Sequence, residues 1–157
     1  MSTFKHILVP TDFGEPAQAG LDMALSLAAS ADARLTLFHA YTMFVPIYSD
    51  AAWVPTLELE RDARKALDEA LAKAKKIYPR TESELGCGDP ALEILRAATK
   101  LGADLVVIGT HGRRGLSRVL LGSVAEKVVR LSPVPVLTVP GAEDRKAKKA
   151  AAAQSGQ

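Results

Sequence analysis

Residues 109–123, GTHGRRGLSRVLLGS, carry the residue types and the spacing that can hold an anion through the backbone. Gly109 and Gly112 are separated by two residues, and Gly122-Ser123 follows after nine more. Glycine leaves neighbouring amides unscreened, and successive amides of this kind form an anion-binding nest. Ser123 stands where the next helix should begin, so free helical amides and a hydroxyl would face the same anion. The pattern indicates a phosphate cradle, with an ordinary surface turn as the alternative.

A second polar stretch, PTDFGEP at 10–16, follows the first apolar segment of the chain. In open α/β sheets, ligands bind beyond the carboxyl ends of the strands, where the strand order reverses. In a sheet of order 3-2-1-4-5, strands 1 and 4 are neighbours at that reversal, so 10–16 and 109–123 would face one crevice. Asp12 would then be a polar contact for the ligand or a cap for the first helix. Arg113 would supply positive charge or be solvated.

Other chemistries are not supported by the motifs. The chain has no G-x-x-x-x-G-K-[ST] phosphate loop, and TDFGEP is not the G-x-G-x-x-G dinucleotide fingerprint. His6, His39 and His111 have no metal-ligand spacing, and we expect the first two to be satisfied within their strands. No general base lies near Ser123 in sequence, so nucleophilic catalysis is unsupported. We therefore predict no catalytic residue and no metal ligand.

The elements that would position these loops alternate between strands and helices. Short apolar, β-branched segments predict strands, and apolar residues at helical spacing predict helices. Asp89-Pro90 is a strong helix start, and Gly102 is a natural helix stop. The predicted strands are 4–10, 33–41, 81–85, 103–109 and 134–140, and the predicted helices begin near 16, 57, 90 and 123. This order predicts an α/β fold, with a single open, doubly wound parallel sheet of five strands in the order 3-2-1-4-5.

Composition sets limits on the class of protein. A chain of 157 residues with 48% apolar residues fits one domain, and a net charge of +2 gives no reason to expect a nucleic acid or membrane partner. The lone Cys87 and the absence of a secretory segment favour the cytoplasm. Four of the eight aromatic residues fall in 41–55, either packed onto the core or forming a lid or partner surface. The Ala- and Lys-rich tail at 141–157 is expected to be disordered.

The motif resembles that of a known family. Gly109-x2-Gly112-x9-Gly122-Ser123 is similar to the G-2x-G-9x-G-[S/T] motif of the nucleotide-binding branch of the universal stress proteins. KHILVPTDFG near the start and SPVPVLTVP near the end also resemble the first and last strands of that family. The likeness covers residues 4–140, so we assign 1–140 to one nucleotide-binding domain. The fold it implies is Rossmann-like, of the adenine nucleotide alpha hydrolase type.

This resemblance implies a ligand and a set of binding residues. The ligand would be ATP or another adenine nucleotide, with or without Mg²⁺. The backbone at Val124 would join the motif residues in holding the phosphates, and Ala40 and Ile108 would border the base. The resulting nucleotide-binding residues are Pro10, Thr11, Asp12, Ala40, Ile108, Gly109, Gly112, Gly122, Ser123 and Val124. Arg113 is added to this set from its charge and its place in the loop, and not from the resemblance.

The resemblance further implies a homodimer formed through the last strand, 134–140, that acts in stress adaptation. We expect a regulatory protein whose bound nucleotide alters its partners or its dimer geometry. Two other functions remain open from the sequence. One is a slow ATP hydrolase or phosphotransferase, and the other is a dimeric adaptor with an empty crevice.

Overall fold

Residues 4–43, 54–111 and 121–156 are described in the structure, which is a computed structural model. Strands and helices alternate along these ranges, as the apolar pattern predicts. The strands are β1 His6–Pro10, β2 Arg34–Tyr41, β3 Thr81–Cys87, β4 Leu105–Gly109 and β5 Val136–Val139, and the helices are α1 Glu15–Ala31, α2 Val54–Ile77, α3 Pro90–Leu101, α4 Ser123–Leu131 and α5 Ala142–Ser155.

All five strands form one parallel sheet in the order β3-β2-β1-β4-β5. The predicted α/β fold and strand order are therefore confirmed. In the register, Ile7 of β1 lies opposite Leu35 of β2 and Leu105 of β4. Strand order reverses between β1 and β4, so the loops that follow these two strands meet at one edge of the sheet.

The two faces of the sheet are covered by different helices. Successive side chains of a strand point to opposite faces, and the buried core divides accordingly. Ile7 and Val9 pack with α1 and α2, whereas Leu8 packs with α3 and α4. Helices thus cover both faces of a sheet whose central strands, β1 and β4, are buried throughout.

Several predicted local features are present. Asp89 caps α3 by accepting a hydrogen bond from the Leu92 amide at 2.9 Å, and Gly102 ends that helix with φ 65°. His6 is buried, as expected of a histidine satisfied within the fold. Its Nε2 lies 2.8 Å from the Thr36 hydroxyl, and burial, with the nearby Arg34 guanidinium, lowers its pKa.

The tail expected to be disordered forms helix α5 instead. Alanine and lysine have high helix propensity, and Glu143 and Asp144 lie in the first turn, where negative charge favours a helix. The backbone amide of Ala142 also donates to the Glu15 carboxylate at 2.9 Å. The lack of an apolar stripe was therefore a poor guide to disorder here. In the described part of the chain, no helix is long and apolar enough to cross a membrane.

Candidate functional site

A cleft of about 280 Å³ opens where the strand order reverses, at the carboxyl ends of the central strands. Nine of the predicted site residues line it, and they come from four separate segments. They are Pro10, Thr11, Asp12, Ala40, Ile108, Gly109, Gly122, Ser123 and Val124. Gly112 and Arg113, and most of the aromatic stretch at 41–55, lie outside the described residues. The structure brings the nine together, and their role in binding remains a prediction.

The loop between β1 and α1 is held in shape by its own side chains. The Thr11 hydroxyl accepts a hydrogen bond from the Phe13 amide, and Asp12 Oδ1 accepts one from the Gly14 amide, both at 2.9 Å. Phe13 takes a positive φ of 64°, an uncommon conformation for a residue with a side chain. Asp12 binds the turn before α1, while Gly14 occupies the cap position without a side-chain cap. The Asp12 side chain therefore stabilises the loop, and Asp12 also lines the cleft.

The end of β2 braces this loop. The His39 imidazole donates from Nδ1 to the Thr11 carbonyl oxygen at 2.8 Å, and the Thr11 amide donates to the Phe38 carbonyl oxygen at the same distance. The Phe13 and His39 rings lie 4.5 Å apart. His39 is thus satisfied by the backbone, as predicted, but it also lines the cleft, which the sequence analysis missed. Only the fold brings residues 39 and 11 together.

Gly109 has a packing role that its motif does not reveal. A Cβ atom at this position would lie 2.4 Å from the Pro16 carbonyl oxygen and 3.0 Å from the Ala17 amide nitrogen. Backbone cannot yield as a flexible side chain can, so a residue other than glycine would push α1 away from β4. Gly20 makes a second close approach, since its Cβ would lie 3.1 Å from the Gly109 nitrogen. The glycine at 109 therefore sets how closely α1 approaches the cleft.

Helix α4 begins at the cleft without a side-chain cap. Its cap residue is Gly122, which has no side chain to bond the first-turn amides, and the Gly122 amide itself donates to the Thr110 carbonyl oxygen at 2.6 Å. The first amides of a helix have no acceptor within the helix. Ser123, Val124 and Ala125 carry such amides, and all three residues line the cleft. This end of α4 also carries the positive pole of the helix dipole.

Apolar side chains form the opposite wall. Phe38 and Ile94 are almost fully buried and line the cleft beside Ala40 and Ile108. Phe38 and Ile94 were not predicted as site residues, although each lies on a segment predicted correctly as a strand or a helix. Asp12 is the one carboxylate among the described residues that line this cleft. The described residues also contain no group of three or more His, Cys, Asp or Glu side chains that could hold a metal ion.

Comparisons with known proteins give consistent results. The family model described as the universal stress protein family matches residues 3–140. A universal stress protein of Methanocaldococcus jannaschii is 35% identical over 142 residues, which cover 87% of this chain and 82% of that protein.

Solved structures agree with this match. A universal stress protein family member from Burkholderia pseudomallei is 33% identical with a TM-score of 0.72, covering 90% of this chain and 99% of that one. A universal stress protein in complex with cAMP is 27% identical with a TM-score of 0.69, and the match covers 88% of this chain and 98% of that one.

Proposed function

The chain belongs to the universal stress protein family, and from that premise we propose that its cleft binds an adenine nucleotide. The observation that carries the proposal is the start of α4. Its uncapped first turn opens on the same cleft as an apolar wall and the Asp12 carboxylate. A nucleotide has an apolar base, a hydroxylated sugar and an anionic end, and the cleft offers a partner to each.

The base would lie against the apolar wall. Phe38, Ile94 and Ile108 present buried carbon surface, and the small Ala40 at the end of β2 leaves room for a flat ring. Asp12, at the end of β1, would accept a hydrogen bond from a ribose hydroxyl. The solved relative in complex with cAMP supports an adenine ligand for this family member.

The phosphates would bind at the start of α4. Backbone amides of Ser123 and Val124, the Ser123 hydroxyl and the helix dipole all favour an anion here. Gly122 has φ −58° and ψ 157°, angles that any residue adopts, so the backbone itself does not require glycine. We propose that glycine stands here because it lets a phosphate approach closely. Gly112 and Arg113 complete the proposed phosphate contacts, and ATP with or without Mg²⁺ is the leading ligand.

We further propose that the protein acts as a cytoplasmic homodimer that regulates a partner protein, rather than as an efficient enzyme. β5 lies at the edge of the sheet, where a second copy could pair with it. Leu137 of β5 is exposed, as are Val129 and Leu131 of α4, the helix that precedes it, and we expect a second copy to cover them. The described lining residues hold one carboxylate, Asp12, and so do not offer the pair of carboxylates that would hold a catalytic metal ion or act as an acid–base pair.

Titration calorimetry on the purified chain tests the nucleotide proposal. ATP, ADP, AMP, cAMP, adenosine and GTP would be titrated into the wild type and into Gly122→Val. We expect adenine nucleotides to bind more tightly than GTP, and we expect Gly122→Val to weaken them by at least about tenfold, or about 1.4 kcal/mol. Adenosine, which lacks phosphate, should be affected least.

Gly156→Val is the matched control. It makes the same change at the exposed end of α5, where the nearest atom to an added Cβ is 3.8 Å away. It should bind like the wild type. Equal binding of ATP by the wild type and Gly122→Val would refute the phosphate site at α4. An absence of binding by the wild type would refute the nucleotide proposal and favour a ligand-free adaptor.

A further inference from the structure

His111 joins the cleft to the C-terminal helix. It follows β4 directly and lines the cleft, and its side chain is 12% exposed. Its Nδ1 lies 2.8 Å from Asp144 Oδ2 in the first turn of α5 and 3.0 Å from the Thr110 hydroxyl. The family model matches residues 3–140, so Asp144 lies outside the matched residues.

The second ring nitrogen of His111 has no hydrogen-bond partner in the described part of the chain. Nε2 is buried, and it is the one buried side-chain nitrogen or oxygen left without a partner among the described residues. A carboxylate can only accept, so Asp144 holds a proton on Nδ1. Nε2 is then the ring nitrogen that remains for a hydrogen bond to a ligand, and His111 is one of the residues that line the cleft. A buried polar atom without a partner is unfavourable, which is a reason to expect one when the site is filled.

The first turn of α5 is anchored independently of the rest of that helix. The Ala142 amide donates to Glu15 Oε1 at 2.9 Å, and a Cβ on the buried Gly141 would lie 2.5 Å from Glu15 Oε2. Glu15 is the first residue of α1, and Gly109 determines how closely α1 approaches the cleft. These contacts tie the start of α5 to α1 and place Asp144 beside His111, even though α5 has no buried residue along its length.

We propose that Asp144, at the start of α5, belongs to the ligand site. Asp144 is a positioning residue for His111, and His111 donates from Nε2 to the anionic group of the bound nucleotide. A ring that donates from both nitrogens is the imidazolium form, whose positive charge suits a phosphate. This inference rests on the proposed nucleotide function, and it adds a tail segment to the site.

A double-mutant cycle tests the pair. ADP and adenosine would be titrated into the wild type, His111→Gln, Asp144→Asn and the double variant. We expect each single variant to weaken ADP by about fivefold and adenosine by less than about twofold. The double variant should bind ADP about as His111→Gln does, because Asp144 acts through His111. Glu143→Gln removes the same charge from the neighbouring, exposed position and should bind ADP as the wild type does.

Nitrogen NMR supplies a readout that a purely structural role would not change. The chain has three histidines, His6, His39 and His111, so ring ¹⁵N resonances can be assigned by substitution. In the free wild type, His111 should carry its proton on Nδ1, and Asp144→Asn should lower that fraction. ADP should convert His111 Nε2 from an unprotonated to a protonated nitrogen.

The outcomes separate the two proposals. Wild type that fails to bind ADP would refute the nucleotide function. Wild type that binds ADP, with unchanged or tighter binding by Asp144→Asn, would refute the role of α5 alone. An unchanged His111 Nε2 resonance in the ADP complex would also overturn it.

Discussion

Two helices begin at the same cleft, and they treat their first-turn amides in opposite ways. At α3, Asp89 accepts a hydrogen bond from the Leu92 amide, and Pro90 has no amide to satisfy. At α4, the cap position is Gly122, which has no side chain to bond the amides that follow. Pro90 and Ser123 both line the cleft. One helix start is capped by a side chain of the protein, and the other is the one at which we propose that a ligand binds.

The charges near the N-termini of α3 and α4 differ in the same way as their caps do. The hydrogen bond from the Leu92 amide lowers the pKa of Asp89, and Lys127 of α4 adds to the effect from 3.3 Å. The positive end of α3 is thus already matched by a carboxylate. The start of α4, at Ser123, opens on the cleft instead. The helix dipole should therefore stabilise a bound anion more at α4 than at α3. We propose that the start of α4 can bind an anion because the sequence supplies no side chain to cap its first amides.

The largest expected effect on ATP affinity comes from giving α4 a capping carboxylate like that of α3. Gly122→Asp would place a carboxylate on the free amides and a negative charge where a phosphate should bind. We expect ATP affinity to fall on the order of 100-fold, or about 2.7 kcal/mol. The free protein should be slightly more stable, by about 0.3 kcal/mol, because aspartate caps better than glycine. Calorimetric titration and urea unfolding measure the two effects.

The opposite signs make this variant informative. Loss of affinity with a lower unfolding free energy would indicate a damaged fold rather than a blocked site. Gly122→Asn supplies the cap without the charge, and its affinity should lie between those of the wild type and Gly122→Asp.

A smaller effect is expected when the side-chain cap of α3 is removed. Asp89→Ala removes the cap of α3 and should lower the free energy of unfolding by about 1 kcal/mol at pH 7. ATP affinity should change by less than about twofold, since the Asp89 side chain is not among the cleft-lining groups. A large loss of affinity would mean that α3 also takes part in anion binding.

The pH dependence of this difference has a defined sign. The pKa of Asp89 is lower in the folded protein than in the unfolded chain, so its contribution to stability is fully present above about pH 5. It is lost as the pH falls from the ordinary aspartate value of about 3.9 through the lower folded value. Unfolding curves of the wild type and Asp89→Ala should therefore converge in acid, and a constant difference would contradict this account.

The smallest effect is expected at the contact between the two helices. Lys127→Ala removes the 3.3 Å ion pair with Asp89, whose side chains are 34% and 48% exposed. Such pairs contribute about 0.5 kcal/mol or less, and salt screens them. Urea unfolding at low and high salt should show a small loss that disappears at high salt. A loss of more than about 1 kcal/mol would mean that Lys127 supports the α3 start by another route.

Much of the fold could be predicted because its signals are local. The apolar runs at 4–10 and 103–109 gave the two central strands, and Asp89-Pro90 and Gly102 marked the ends of α3. Boundaries were less exact, since β3 continues to Cys87 and β5 is limited to Val136–Val139. The prediction of a disordered tail was wrong because helix propensity, rather than an apolar face, decides the state of an alanine-rich segment.

The site was predictable in composition but not in its contacts. Gly109 and Pro10 to Asp12 converge because parallel strands end at one edge of the sheet, and Gly122 lines the same cleft at the start of α4. The packing of Gly109 against Pro16, and the bond from His39 to Thr11, join residues that are distant in sequence. Asp144 beside His111 is a further case, since it requires a helix that the sequence analysis did not expect.

The exposed length of α5 makes the tail sensitive to temperature. Its 14 residues bury no side chain, so beyond the first turn its helicity depends on intrinsic propensity, and helices of roughly 12–15 residues are marginal in water. The sheet should unfold cooperatively, whereas this helix should shorten gradually on warming. The anchored turn that carries Asp144 would then be left at the end of a fraying segment. Heating could thus change the surroundings of His111 well before the domain itself melts.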